Sequence, residues 1–177
     1  MSNWLESRIW EDIQKRLPII CVDVIPIQLN KEGHQESIGL IFRETPHQGN
    51  KWCTIGGRLR HSESLQSAIQ RQLAESLGNH VKLKKVLNDG EPAFVAQYAP
   101  SNFPVDGFEG IDPRKHAIGL TYCVWIDGVL TPQNEAMDFH WFKKNNLPDT
   151  SEIGFGQGEV IVKCLNKIIN SNQLSVP

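Results

Sequence analysis

"GGRLRHSESLQSAIQRQLAESLG", Gly56 to Gly78, is the stretch on which the fold turns. Two glycines and an arginine open it, and a polar run then takes on helical spacing. Leu65, Ala68, Ile69, Leu73 and Leu77 recur at offsets of three and four, the signature of one buried helix face. Ser62 is the expected N-cap, Glu63 sits where the helix dipole favours an acid, and Gly78 supplies the stop. The expected helix, Ser62 to Leu77, brings positions 72, 75 and 76 to one face. A magnesium site on a helix uses that geometry, with a carbonyl from a preceding glycine loop, here Gly56, as a further oxygen ligand. Magnesium needs only one or two protein carboxylates when substrate phosphates complete its shell. Glu75 is the one acid among the three positions, since Gln72 and Ser76 hold the others.

Outward from this stretch, the chain alternates strands with few helices. Towards the N-terminus, "WCTI" reads as a short strand, "SIGLIFRE" and "IICVDVIPIQL" as longer ones, with a turn at Glu32-Gly33. A helix over residues 3–16 carries Trp4, Leu5, Ile9, Trp10 and Ile13 on one side and stops before Pro18. Towards the C-terminus, strands are expected near 80–88, 93–98 and 117–127, then one within "GVLTPQNEAMDFHWF". An amphipathic helix closes the chain at about 157–170. The loop from Ala99 to His116 is long and rich in Pro, Gly and Asp, as lids and binding loops often are. Several connections are too short for βαβ crossovers, so the expected fold is an α/β/α sandwich around a mixed sheet. One domain over residues 1–177 is expected.

Composition excludes some functions. The chain has 177 residues, a formal net charge of -2 and 40% hydrophobic residues. It lacks the clustered Lys and Arg of a nucleic-acid-binding surface; Lys82, Lys84 and Lys85 read as a solvated face. Cys21, Cys53, Cys123 and Cys164 are scattered through apolar surroundings and are expected as buried free thiols. The N-terminal segment is too charged for a signal peptide, and no apolar run reaches membrane-spanning length. A cytoplasmic protein with no membrane partner is expected.

The stretch resembles the Nudix box, G-x5-E-x7-R-E-U-x-E-E-x-G-U, with U a bulky aliphatic. Gly57, Glu63, Arg71, Leu73, Glu75 and Gly78 match at the right spacing, whereas Gln72, Ser76 and Asn79 depart. Over approximately residues 4 to 145 the chain is similar to the GDP-mannose mannosyl hydrolase branch, which also lacks the first helical Glu. That branch has an N-terminal helix before "LPIICVDVI", and "GLIFRETPHQGNKWCTIGGR" echoes its lead-in to the paired glycines. The resemblance implies magnesium, with manganese as a substitute, and a nucleoside diphosphate derivative as substrate. It implies substrate contacts from Asp23, Arg43 and Arg58, since guanidinium groups suit a departing diphosphate. It also puts Glu135 at a metal-ligand position and Ala136 where that branch has its catalytic base. Glu75 and Glu135 are then the expected metal ligands with Gly56, and Arg43, Arg58, Glu75 and Glu135 the expected catalytic set. Glu135, His140 and His116 stand as alternatives for the base. Dimers are common in that branch, and Trp4 and Trp10 are candidates for a homodimer contact.

Other residues have plainer readings. Glu63 with Arg71 is expected to tie loop to helix, and Trp52 to sit in the core. His140 is expected as a packed or edge histidine on its strand, and His116 as exposed. "GFGQG" near Gly154 lacks the Lys and Ser/Thr of a phosphate-binding loop and is expected as a flexible turn. Three readings remain open: cleavage at the sugar's anomeric carbon, the usual Nudix attack at phosphorus, and a Nudix-fold module that binds without turnover.

Overall fold

The structure, a computed structural model, describes residues 5–30, 35–102 and 107–170. Trp4 and the turn expected at Glu32-Gly33 lie outside the described residues. In chain order the elements are α1 (Ser7–Arg16), β1 (Ile19–Leu29), β2 (Gln35–Thr45), β3 (Gly49–Cys53), β4 (Ile55–Arg58) and α2 (Leu65–Leu77). They continue with β5 (Lys82–Val86), β6 (Phe94–Ala99), β7 (Gly110–Ile111), β8 (Ala117–Asp127), β9 (Asp138–Lys143) and α3 (Gln157–Asn170). The fold is the expected α/β/α sandwich, a mixed sheet with helices packed on it.

β1 is the centre of the sheet. It runs parallel to β8 over Ile19–Ile27, and both strands are buried along most of their length, which is why they read as near-continuous apolar runs. On its other edge β1 changes partner midway. Cys21 to Val24 pair antiparallel with β4, and Ile27 to Leu29 pair with β2. Pro26 stands between the two pairings, where a residue without an N–H disrupts neither ladder. This split holds the glycine-bearing strand β4 against the N-terminal half of β1. The Cys53–Ile55 region that reads as one strand is thereby two, β3 on β2 and β4 on β1.

α2 packs on β1, β4 and β5, while α3 packs on β6 and β8. The buried stripe of α2 is Ala68, Ile69, Gln72, Leu73, Ser76 and Leu77. Leu65, expected in that stripe, is exposed because it stands at the first turn. The N-cap is Ser64, not Ser62: its hydroxyl accepts from the Ser67 N–H at 3.1 Å, worth about 1 kcal/mol. Ser62 has φ 61, a turn conformation before the cap. Gly78 ends the helix at φ 91, as the sequence suggests.

α1 departs from expectation. It begins at Ser7, and none of its residues is buried. Trp10 and Ile13 rest partly on the core, whereas Leu5 and Ile9 of the same apolar side are exposed. All four cysteines are free and buried, as expected. Among the described residues no helix is long and apolar enough to cross a membrane.

Candidate functional site

Arg71 organises the stretch that opens the sequence. Its Nε donates to Glu63 Oε1 at 2.6 Å and Nη2 to Glu63 Oε2 at 2.8 Å. The same guanidinium donates to the Arg58 carbonyl at 3.1 Å and to Glu75 at 3.0 Å. Glu63 in turn accepts from the Arg60 backbone N–H at 3.0 Å. The pair ties loop to helix as expected, and it fixes the backbone just after the two glycines. The Arg71 hydrogen bonds hold the Glu63 carboxyl below its ordinary range. Glu63 thus serves the loop's shape rather than the helix dipole.

The floor of the cleft is Gly56-Gly57, and the end of the Gln72 side chain lies against Gly57. A Cβ there would lie 2.7 Å from Gln72 Nε2. Gln72 and Ser76, which replace two box acids, are both buried, at 4% and 1% exposure. They are packed parts of the helix stripe.

The C-terminal end of α2 is capped by the loop before β9. Thr131 N donates to Leu77 O, Gln133 N to Ser76 O, Asn134 Nδ2 to Glu75 O and Gln133 Nε2 to Ala74 O. Four helix-end carbonyls are satisfied by one loop. That strap carries Glu135 to the cleft, where it pairs with Arg43 of β2 and accepts from the Ser76 hydroxyl. Burial, reinforced by the Glu75 charge, pushes the Glu135 carboxyl up, against the pull of Arg43, Arg114 and the Ser76 hydrogen bond.

The result is a cleft of about 440 Å³ floored by the glycines and bordered by Arg58, Arg60, Arg71, Glu75, Asn134 and Glu135. Glu75 is held by Arg60 at 2.8 Å as well as by Arg71. Arg58 lies under the Trp10 ring of α1, its Cζ 4.4 Å from the ring centroid. Burial and the neighbouring charges of Arg60 and Arg71 lower its pKa.

Beyond the glycines lies a narrower pocket of about 80 Å³, lined by Asp23, Arg43, Thr54, Tyr98, Phe155 and Gln157, with Asp112, Arg114 and Lys115 at its side. The last three come from the long loop after β6, so that loop does furnish a wall. Asp23 is 9% exposed, and burial pushes its carboxyl up to about 7. Lys115 and Arg43 oppose that rise, and Glu135 adds to it. Gly119 and Gly56 flank the carboxylate: a Cβ at 119 would lie 2.5 Å from Asp23 Oδ2, and one at 56 would collide with Oδ1. Burial also pushes Cys21 and Cys53 up to about 12, so both stay neutral thiols.

Asp23, Arg43, Gly56, Arg58, Glu75 and Glu135 therefore all border the two connected hollows. His140 and His116 line neither. His140 is exposed on β9 among Trp52 and Phe142, and Trp52 itself is half-buried in that aromatic cluster. His116, expected to be exposed, is half-buried with its ring edge-on to Phe108. "GFGQG" is a pocket wall, not a flexible turn. Phe155 is buried at φ 58, and Gln157 Oε1 accepts from the Thr54 N–H at 3.0 Å. Tyr98, Phe155 and Gln157 carry no sequence signal for this role, because only β6 packing and the turn before α3 bring them here.

Among the described residues no three Asp, Glu, His or Cys side chains converge as a metal cage. Glu75 and Glu135 nonetheless repel one another across the cleft, each balanced by an arginine. Two carboxylates facing one phosphate-sized hollow fit a hard divalent cation that draws its remaining oxygens from substrate and water.

The mixed-sheet sandwich is the fold of solved Nudix hydrolases: a MutT/nudix family protein of Enterococcus faecalis matches with TM-score 0.61 and 17% identity, covering 94% of this chain and 76% of that one. Residues 1–169 match the family model described as "Domain of unknown function (DUF4916)", and the chain belongs to that family. Its fold matches a candidate asymmetric diadenosine tetraphosphate hydrolase of Jonesia denitrificans with TM-score 0.75 and 25% identity, covering 92% of this chain and 99% of that one. A bifunctional NMN adenylyltransferase/ADP-ribose pyrophosphatase of Francisella tularensis, solved with AMP and a manganese ion, matches with TM-score 0.62 and 18% identity. That match covers 90% of this chain and 44% of the other. The low-salt glycan biosynthesis protein Agl8 of Haloferax volcanii is 27% identical over 118 residues, 67% of this chain and 65% of that protein's own length.

Proposed function

We propose that this protein is a divalent-metal-assisted hydrolase of a nucleoside diphosphate derivative, with a nucleotide-sugar such as GDP-mannose as the substrate class. The observation that carries this reading is the division of the cleft. Arginines border a wide hollow that suits a diphosphate, and a second, narrower pocket opens across the same glycine floor. The description of Agl8 as a glycan biosynthesis protein supports a sugar-bearing substrate, and the Francisella complex with AMP and manganese supports nucleotide and metal.

Glu75 and Glu135 would hold magnesium or manganese, with the Gly56 carbonyl as a further ligand. When bound, the ion supplies charge neutralisation for the phosphates. The residues of the chain do the rest. Arg58 and Arg43 bind the phosphate oxygens and stabilise negative charge gathering on the departing nucleoside diphosphate. Asp23 contacts the substrate from beside the glycine floor. Water attacks the anomeric carbon of the sugar, with Glu135 the base nearest the cleft among the three alternatives. Ala136 is buried and cannot take a proton, and neither histidine borders the cleft.

Attack at phosphorus is the second reading. It is favoured by the pyrophosphatase and tetraphosphate hydrolase descriptions of the structural neighbours. Mass analysis of products after incubation with nucleoside diphosphate sugars and Mg2+ or Mn2+ separates the two. Free sugar with intact GDP supports cleavage at carbon; GMP with sugar phosphate supports cleavage at phosphorus. Saturable binding without turnover across several metals overturns both and leaves a binding module. The exposed Ile9 on α1 and Leu5 just before it support a homodimer through that segment, and the whole chain acts as one functional domain.

A further inference from the structure

Glu75 has an arginine on each of its carboxylate oxygens. Arg60 Nη2 donates to Oε1 at 2.8 Å, and Arg71 Nη1 donates to Oε2 at 3.0 Å. A divalent cation that takes Glu75 as a ligand would stand beside two guanidinium groups, and the like charges repel. One of the two arginines has to give way.

Arg71 is not the one. Its guanidinium is also fixed by both Glu63 oxygens and by the Arg58 carbonyl, and its side chain is 15% exposed. Arg60 is held differently. Its backbone N–H donates to Glu63, which anchors the main chain, whereas among the described residues its guanidinium hydrogen-bonds to Glu75 alone. The side chain is 36% exposed, so it can swing without leaving a buried charge unpaired. It also borders the wide hollow, beside Arg58 and Asn134. A fork of N–H donors in that place matches a phosphate as well as it matches a carboxylate. Position 60 falls among the unspecified residues between Gly57 and Glu63 of the box, so the resemblance assigns it no role.

We propose that Arg60 is a third arginine contact for the diphosphate of the substrate, latched to Glu75 until a metal ion displaces it, so that metal and diphosphate promote one another's binding. Metal on Glu75 frees the guanidinium for phosphate, and phosphate on the guanidinium frees Glu75 for metal. The coupling is reciprocal, as linkage requires. This rests on the metal and diphosphate reading above, but it concerns binding and does not require turnover.

The test uses the full chain and two binding measurements. Mn2+ binding without nucleotide is followed by electron paramagnetic resonance, and GDP binding in the presence of a chelator by calorimetry. In Arg60→Gln, Mn2+ should bind about threefold more tightly and GDP about threefold more weakly, the scale of a half-exposed ion pair. Misfolding would weaken both, so opposite signs certify the fold. Loss of a positive charge by itself has the same two signs, and a double-mutant cycle tells the two apart. Glu75→Gln should tighten chelator-phase GDP binding about threefold in the wild-type background, because it releases the latch, and by less than about 1.5-fold in the Arg60→Gln background. Equal tightening in both backgrounds, or an unchanged Mn2+ or GDP affinity in Arg60→Gln, overturns the proposal while the metal and diphosphate reading stands. Wild-type protein that binds neither Mn2+ nor GDP sinks that reading and the latch with it.

Discussion

Asn134 Nδ2 donates to the carbonyl of Glu75 over 2.6 Å, so the loop before β9 is tied to the very residue whose carboxylate faces the cleft. Together with Gln133, it sets Glu135 opposite Glu75 although sixty positions separate them in sequence. Ser76 completes the arrangement by donating its hydroxyl to Glu135. A box position that lost its acid thus supports an acid from elsewhere.

Glu75→Gln is expected to abolish metal-dependent turnover and to weaken Mn2+ binding at least tenfold. Glu135→Gln should weaken it comparably, because the two carboxylates act on one hollow. Mn2+ binding followed by electron paramagnetic resonance reads affinity directly. Full activity in Glu75→Gln would refute the metal assignment.

Arg71→Met should destabilise the protein by about 3 kcal/mol, because it strands the Glu63 carboxylate with most of its partners gone. The Glu63 carboxyl is depressed in the folded state, so its contribution is present above its unfolded pKa and fades as the pH falls. Urea unfolding of the variant and wild type should therefore differ most at neutral pH and converge in acid.

Asp23 behaves in the opposite sense. Its folded pKa of about 7 lies above the ordinary 3.8, so its contribution is fully present below pH 4 and lost as the pH rises through 7. The shift corresponds to about 4 kcal/mol. Asp23→Asn, which cannot ionise, should raise thermal stability at pH 8 and change it little at pH 4. A variant no more stable than wild type at pH 8 would contradict the burial argument.

Arg58→Ala is expected to lower kcat by about 10²–10³, the loss typical of removing one donor to developing negative charge. Trp10 stacks on that guanidinium and is not expected to touch substrate. Trp10→Leu should weaken GDP binding about two- to fivefold, matching roughly 0.5–1 kcal/mol for an exposed cation–π contact, and Trp10→Phe should recover part of it. Equal loss in Phe and Leu variants would assign Trp10 a packing role only.

Gly56→Ala and Gly57→Ala should differ. A methyl at 56 meets Asp23 and the Val22 carbonyl oxygen at 2.9 Å, neither of which can move far, while at 57 it meets the end of the Gln72 side chain. Overpacking of this kind costs about 1–3 kcal/mol. Chemical denaturation should place Gly56→Ala at the upper end and Gly57→Ala at or below the lower end.

Much of this molecule was legible in its sequence. Local rules sufficed for the strand β1, with its β-branched run, and for the closing helix over 157–170, because period and propensity act on neighbours. The spacing of Gly57, Glu63, Arg71 and Glu75 likewise determined the loop–helix lock, since each partner lies within two turns or one short loop. Helix starts were less legible: Ser62 and Ser64 are equivalent to propensity, and only the backbone turn at 62 chose between them. Tertiary structure alone decided the site's other half. Glu135 reaches the cleft beside Glu75 only because a helix end needs its carbonyls satisfied, and Asp23 and Gln157 line one pocket only because the β1–β8 pairing and the turn at Phe155 close on it. Those contacts join residues far apart in the chain, where no local period carries information and long-range packing sets the geometry.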